Sequence, residues 1–284
     1  MIQCCCELPF TMFDKEMEVN DYDFVLYHHY LHSDIYKNNY LKRRKEHPER
    51  MMILDNSAYE FFVSHESFNP EDYAAVINEL KPDYYIVPDT LMDAEETVYS
   101  AVSWVHTYYN DCKNSGAQPF FTPQGKTKEE FDWCVEVMTR FMEQKSLSKL
   151  LCIPFHDQFL REYKIDDDVV RSVYGDQSIN LQEDIDKRYA MGRVMLMKEL
   201  AKKYPDYRFH LLGSHDPREL RAHKDIKQIQ SFDSGYPVKL GVMGVKFGDE
   251  KEKPNIIIDD FCNKPLDEDI KNLIVNNIIS MKKF

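Results

Sequence analysis

Residues 51–89 read MMILDNSAYEFFVSHESFNPEDYAAVINELKPDYYIVPD, and this stretch decides the predicted fold. Its two apolar runs, Met51–Asn56 and Tyr84–Asp89, are too short for helices and have the β-branched or aromatic residues of strands. Between them, Asn69–Leu80 begins with Asn-Pro-Glu-Asp, which is typical of a helix cap followed by proline in the first turn. The stretch therefore predicts a strand, a helix and a second strand parallel to the first.

The same alternation continues along the rest of the chain. Further short apolar runs predict strands at Asp23–His28, Pro119–Pro123, Leu150–Phe155, Arg208–Leu212 and Ile229–Asp233, with an eighth in either Asn255–Asp260 or Leu240–Phe247. Amphipathic stretches predict helices at Asp93–Asn110, Thr127–Lys145, Asp184–Lys203, Asp216–His223 and Leu266–Met281. Without a Gly-rich dinucleotide fingerprint, this alternation favours a single (β/α)8 barrel domain over residues 1–284. An open flavodoxin-like sheet is the alternative.

Composition narrows the class of protein further. The 284 residues are 43% hydrophobic, which is enough for a large core. No apolar run is long enough to span a membrane, and the first residues lack the basic and apolar regions of a secretory signal. The seven cysteines are an odd number without any CxxC pair, which indicates reduced thiols rather than zinc ligands. We therefore expect a cytoplasmic protein that has no bound metal or cofactor.

The charge distribution argues against a general nucleic-acid coat protein. The net charge is −13, from 36 basic and 49 acidic residues. A local basic patch is still compatible with this balance, and Lys42–Lys45 (KRRK) is the densest basic cluster. Arg43 and Arg44 are candidates for phosphate contacts, although a cluster of this kind is also typical of a solvated helix face.

Polar residues end several of the predicted strands. Asp55, Asp89 and Asp233 end three of them, and Gln124 and Gly213 stand at the ends of two others. In a barrel the carboxyl ends of the strands form the active site, so these side chains should converge on one mouth. Each aspartate alone could simply cap the following helix, but three together favour a functional site. No His-x-His pair ends a strand, so metal-free covalent chemistry is favoured over metal binding.

The strand ends resemble the motifs of the tRNA-guanine transglycosylase superfamily, from about Asp23 to Pro237. That family is a (β/α)8 barrel, a pentosyltransferase that exchanges guanine for a 7-deazaguanine. Five segments resemble motifs of the family, in the same order along the chain. Ile53–Glu60 resembles Leu-Thr-Asp-Ser-Gly-Gly-Phe-Gln, Pro88-Asp89 resembles Phe-Asp, and Pro123–Lys126 resembles Val-Gln-Gly-Gly. Leu211–His215 resembles Leu-Met-Gly-Val-Gly, and Phe232–Pro237 resembles Phe-Asp-Cys-Val-x-Pro.

The departures from these motifs affect the expected substrate. Asn56, Ser57 and Ala58 stand where the family has Ser-Gly-Gly, and Glu60 stands where glutamine is usual. The zinc motif CxCxxC…His of the tRNA enzymes is missing, since only Cys262 lies near the C-terminus, and there is no added RNA-binding domain. A short, zinc-free chain is most similar to the DNA 7-deazaguanine transglycosylases of phages and bacteria. The resemblance therefore implies DNA as the polymer, in the host cytoplasm if a phage encodes the protein.

The resemblance also implies a role for each strand-end residue. Asp233 would be the nucleophile that attacks the sugar, as in retaining glycosidases, and Asp55 the general acid and base. Asp89 would accept hydrogen bonds from guanine N1–H and the exocyclic amine. Gln124 and the N–H of Gly213 would lie near O6, with Leu212 beside them. Tyr59 or Tyr236 would stack on the ring of the base. The residues expected at the phosphates are Lys126, Lys239, Arg43 and Arg44.

Other functions remain compatible with the same residues. The chain could be a tRNA-guanine transglycosylase, or an N-glycosidase or nucleoside hydrolase in which water replaces the incoming base. A non-catalytic nucleic-acid-binding or assembly protein on a barrel scaffold is a further alternative, because fold does not determine function. Either tyrosine could equally pack in the core. The particular 7-deazaguanine, the oligomeric state and any partner protein are left open.

Overall fold

The strands of the protein form parallel sheets. A computed structural model describes residues 2–13, 15–155, 158–175, 185–214, 216–249, 254, 256 and 264–283. The eight strands in these ranges form two four-stranded sheets, in the orders β1-β8-β7-β6 and β2-β3-β4-β5, and every pair with a described register is parallel. The strands are β1 (Gln3–Cys5), β2 (Asp23–Leu26), β3 (Met52–Asp55), β4 (Tyr84–Ile86), β5 (Gln118–Phe120), β6 (Leu150–Ile153), β7 (Arg208–Leu211) and β8 (Ile229–Asp233). The predicted α/β class with parallel strands is confirmed, and closure of the barrel stays a prediction.

Helices lie at each of the predicted stretches, and further helices occupy stretches that the sequence pattern did not indicate. The described helices are α1 (Tyr27–His32), α2 (Asp34–Glu46), α3 (Ala58–Ser64), α4 (Pro70–Leu80), α5 (Ala94–Thr107), α6 (Tyr109–Lys113), α7 (Lys128–Gln144), α8 (Asp167–Tyr174), α9 (Ile185–Lys203), α10 (Leu220–His223), α11 (Tyr236–Val242) and α12 (Glu268–Met281). Asn69 caps α4, and Thr127 with Glu130 forms the predicted capping box of α7. No helix in the described ranges is long and apolar enough to cross a membrane.

The eighth strand lies at a place that the pattern did not indicate. It is β1 at the amino end, which pairs with β8 so that Cys4 lies opposite Phe232 and Cys5 opposite Asp233. The Leu240–Phe247 alternative is wrong, because α11 occupies its first part, and most of Asn255–Asp260 lies outside the described residues. Cys4 and Cys5 are both buried, since the thiol side chain acts as a small apolar group in this strand.

The chain divides into two compact units. The first comprises Met1–Asp21, Leu160–Pro205 and Leu211–Phe284, and the second comprises Tyr22–Phe159 and Asp206–His210. In the second unit, the register of β2 to β5 brings the carboxyl ends of four parallel strands to one edge, and a parallel bridge from Phe121 to Leu151 continues to β6. The buried His210 stacks on Phe24 with ring centroids 5.5 Å apart, so side chains of β2 and β7 share one core.

The basic cluster of α2 stabilises the opposite edge of this sheet. Arg43 is buried, and its Nε donates to Asp23 Oδ1 at 2.8 Å and Oδ2 at 2.9 Å. Arg44 Nη1 lies 3.1 Å from Asp83 Oδ2. Asp23 begins β2 and Asp83 precedes β4, so both arginines lie at the amino ends of the strands. The guanidinium groups of Arg43 and Arg44 thus bind carboxylates within the fold, and their phosphate contacts stay a prediction without support from this position.

The neighbouring Lys42 provides a matched control for this assignment, since its side chain is 70% exposed. We expect Arg43→Met to lower the free energy of unfolding by about 1–3 kcal/mol, because Asp23 loses one of its buried cationic partners. Lys42→Met should change it by less than about 0.5 kcal/mol. Urea titration followed by circular dichroism measures both values. Equal stability of the two variants would contradict the structural role of Arg43.

Candidate functional site

Three side chains at neighbouring strand ends of the second unit meet at one carboxylate. Asp89 follows β4, Asn56 follows β3 and Gln124 follows β5. Asn56 Nδ2 donates to Asp89 Oδ1 at 2.7 Å, and Gln124 Nε2 donates to Asp89 Oδ2 at 2.7 Å. We call Asn56, Asp89 and Gln124 the Asp89 clamp. The predicted convergence of polar side chains at this edge is thus present for Asp89 and Gln124, with Asn56 as an additional member.

Further hydrogen bonds determine which way the two amides of the clamp point. Asn56 Nδ2 also donates to the Val87 carbonyl at 2.9 Å, while its Oδ1 accepts from the Ala58 N–H at 2.9 Å. Gln124 Oε1 accepts from the Met92 N–H at 3.1 Å. Both amide groups therefore turn their N–H atoms towards Asp89. Gln124 thus positions the carboxylate, and its contact near the O6 of a base stays a prediction.

The loop that carries Gln124 needs glycine at the next position. A Cβ atom on Gly125 would lie 2.5 Å from the backbone nitrogen of Phe131, which is far too close for any side chain. The loop after β5 consequently lies directly against the first turn of α7. This close approach is a physical reason for the Gln-Gly pair in the sequence.

The Asp89 carboxyl group has an unusual acidity for an aspartate. Burial raises the pKa of Asp89 from 3.8 to about 6, although the hydrogen bonds from Asn56 and Gln124 act in the opposite direction. The group is therefore mostly ionised at neutral pH. A carboxylate offers about four acceptor positions, so the two amides leave it capacity for a ligand with N–H donors.

Asp55 is held by the turn that follows β3. One of its carboxylate oxygens accepts from the backbone N–H of Ser57. Ser57 is buried and has φ of 59°, in the left-handed region that a residue with a Cβ rarely adopts. Its Oγ accepts from the His28 N–H at 3.1 Å. The strained turn keeps Asp55, which is half-buried, at the carboxyl edge of the sheet.

In the first unit, Asp233 is oriented by the turn after β7. The backbone N–H of Gly213, whose φ is 56°, donates to Asp233 Oδ1 at 3.0 Å. The N–H of Gly213 thus faces Asp233, and its contact with a base stays a prediction. The hydrogen bond from Gly213 gives the carboxylate of Asp233 a defined direction at the end of β8.

A buried arginine stabilises that turn. Arg193 donates to the Leu212 carbonyl at 2.7 Å and to the Gly213 carbonyl at 2.6 Å. It also forms a fully buried ion pair with Glu219. Burial alone would raise the pKa of Glu219, but the charge of Arg193 and the contact with His223 hold that pKa below its ordinary value. Arg193 therefore remains paired with an ionised partner and fixes the backbone beside Asp233.

The remaining predicted residues differ in accessibility. Tyr59 on α3 is 60% exposed and stays a candidate for stacking, whereas Tyr236 is buried with its ring 6.2 Å from that of Phe247. Lys126 is exposed just before α7, and Lys239 on α11 is half-buried. Tyr236 thus packs in the core, and the two lysines remain predicted phosphate contacts.

Several residues that position the strand-end carboxylates were not predicted from the sequence. Asn56 stood in the quoted motif, and its place directly after Asp55 was the signal for it. Arg193 lies inside a long predicted helix, where nothing in the sequence distinguishes it from an exposed arginine. Within the described part of the chain, one group of side chains is arranged so that it could hold a metal ion, namely His28, His32 and Glu66.

No protein-family model matches the chain, and no curated protein is significantly similar to it. The resemblance to guanine transglycosylases therefore rests on the short motifs at the strand ends.

The clamp predicts a measurable effect on the acidity of Asp89. Gln124→Met removes the Nε2 donor with little change in volume, so we expect the pKa of Asp89 to rise above about 6. Because the pKa of Asp89 is raised on folding, this residue lowers stability as the pH increases from about 4 to about 6, and the variant should extend that decrease to higher pH. Carbon-13 NMR titration of the aspartate carboxyl groups measures the pKa directly. The exposed Gln144→Met serves as the control, and an unchanged Asp89 pKa in Gln124→Met would contradict the clamp.

Proposed function

We propose that this protein exchanges guanine in a polynucleotide for a 7-deazaguanine such as 7-cyano-7-deazaguanine. The Asp89 clamp is the observation that carries the proposal. Its carboxylate, ionised at neutral pH, suits a ligand with two adjacent N–H donors. Guanine offers such a pair in N1–H and the exocyclic amine, while adenine does not. The clamp therefore supports recognition of guanine or a 7-deazaguanine with the same edge.

The backbone around Asp55 gives independent support. The resembled motif has glycine at the position of Ser57, and Ser57 has the left-handed conformation that favours glycine. Gly125 likewise occupies a position where any side chain would collide with α7, and the resembled motif has glycine there as well. The chain thus follows the backbone requirements of these motifs even where the residue type differs.

The proposed reaction has two displacements at the same sugar carbon, and the joint use of Asp233 and Asp55 there rests on the resemblance to the transglycosylases alone. The Asp233 carboxylate attacks C1′ as the bond from C1′ to guanine N9 breaks, and Asp55 supplies the proton that the departing guanine takes. The incoming 7-deazaguanine then loses its N9 proton to Asp55 and attacks C1′, which releases Asp233. The target nucleotide has to be flipped out of its stack before either step.

The finer parts of the proposal rest on the resemblance. They are a closed (β/α)8 barrel as the scaffold, DNA in preference to tRNA as the polymer, and a cytoplasmic location. Since Arg43 and Arg44 are used within the fold, Lys126 and Lys239 are the basic residues proposed at the phosphates.

A base-exchange assay tests the proposed function. The protein is incubated with 7-cyano-7-deazaguanine and with duplex DNA, single-stranded DNA or tRNA that carries radiolabelled guanine. We expect release of label from DNA, and a decrease of roughly a thousandfold or more in Asp233→Asn, because the nucleophile is lost. Asp225→Asn, at an exposed aspartate, is the matched control and should retain activity.

The other outcomes of this assay distinguish the alternatives. Release from tRNA alone would keep the chemistry and overturn the choice of DNA. Release that does not depend on the 7-deazaguanine would identify a hydrolase. Release from none of the three polymers would contradict the proposed function.

A further inference from the structure

Two histidines and a glutamate converge just beyond the carboxyl end of β2. His28 and His32 lie four residues apart on α1 and therefore on the same face of that helix. Glu66 follows α3, and its Oε2 lies 2.8 Å from His32 Nε2, while its Oε1 lies 3.5 Å from His28 Nε2. One potential ligand atom of each residue lies within 4.8 Å of those of the other two.

The environment of His28 indicates that its ring lacks a normal hydrogen-bonding partner. Both ring nitrogens are buried and lack a hydrogen bond of normal length, since Glu66 Oε1 lies 3.5 Å from Nε2. A buried polar atom without a close partner is destabilising. The ring packs against the edge-on ring of Phe61, with the centroids 5.3 Å apart, and the backbone N–H of His28 donates to Ser57 Oγ. A ligand at Nε2 would remove this destabilisation without moving the ring.

We propose that His28, His32 and Glu66 bind a divalent transition-metal ion, with Zn²⁺ as the best match. Two imidazoles and one carboxylate form a donor set that Zn²⁺ prefers in proteins. Tetrahedral zinc with bonds of about 2.0–2.1 Å keeps its ligand atoms about 3.3 Å apart. Because the ligand atoms already lie within 4.8 Å, small side-chain rotations would complete the site.

Three protein ligands leave the fourth position of such an ion to a water molecule or to an oxygen of an anion. Glu66 and His32 are respectively 43% and 50% exposed, so this position is open to solvent. Ser57, which binds the His28 N–H, is adjacent to Asn56 of the Asp89 clamp. An ion there would add positive charge at the carboxyl edge of the sheet, where a phosphate oxygen could bind. This last use rests on the proposed function, whereas binding of the metal does not.

Calorimetric titration of the full-length protein with Zn²⁺ at neutral pH tests the proposal. We expect one site in the wild-type protein, and a decrease in affinity of at least about tenfold in both His32→Ala and Glu66→Gln. Both substitutions affect exposed side chains, so the fold should persist, and circular dichroism checks this. Binding of Co²⁺ provides a second readout, because its visible absorption reports nitrogen and oxygen ligands in a site of low coordination number.

His47→Ala is the matched control. His47 is also a largely exposed histidine beside a glutamate, with its Nδ1 3.8 Å from Glu49 Oε1, but it belongs to no described group of three ligands. This variant should bind Zn²⁺ like the wild-type protein. The proposal is overturned if the wild-type protein does not bind Zn²⁺. It is equally overturned if His32→Ala and Glu66→Gln bind it as tightly as His47→Ala does. Because neither result depends on base exchange, failure of this proposal is distinct from failure of the proposed function.

Discussion

The hydrogen bonds from Asn56 and Gln124 to the two oxygens of Asp89 join the ends of three neighbouring parallel strands. They depend on the register of β3, β4 and β5, since a shift by one residue would turn each of these side chains to the other face of the sheet. They also require that both amides present N–H groups, which the bonds to Val87, Ala58 and Met92 ensure. The result is a half-buried carboxylate that is ionised at neutral pH and keeps acceptor capacity for a ligand.

Much of this arrangement could be predicted from the sequence, because it follows from strand ends. The runs ending at Asp55 and Asp89 are short and apolar, and parallel strands of one sheet bring their carboxyl ends to a common edge. What the pattern could not provide is the direction of each amide. Gln124 was expected to face a base, but the Met92 N–H takes its oxygen and leaves its nitrogen for Asp89. Such choices depend on single backbone groups in a neighbouring loop.

The features that the sequence pattern did not predict also have local causes. The run KRRK contains both Lys42, exposed to solvent, and Arg43, buried against Asp23, and composition does not indicate which side of α2 packs on the sheet. The first strand was missed because Cys4 and Cys5 were interpreted as thiols rather than as small apolar residues facing a core. The cluster of His28, His32 and Glu66 was missed because its carboxylate comes from a different loop, 34 residues beyond His32. Only the fold brings it to the histidines.

The pH dependence of base binding tests the proposed role of Asp89 most directly, because it probes the carboxylate itself. The dissociation constants of 7-cyano-7-deazaguanine and of adenine would be measured by calorimetry between about pH 5 and about pH 8. If Asp89 recognises the guanine edge, the 7-deazaguanine binds tightly above the Asp89 pKa of about 6, and its affinity falls as the pH decreases through that value, since a protonated carboxyl group cannot accept both N–H donors. Adenine should bind weakly throughout. Affinity that is independent of pH, or equal for the two bases, would contradict the assignment of Asp89 as the group that recognises guanine.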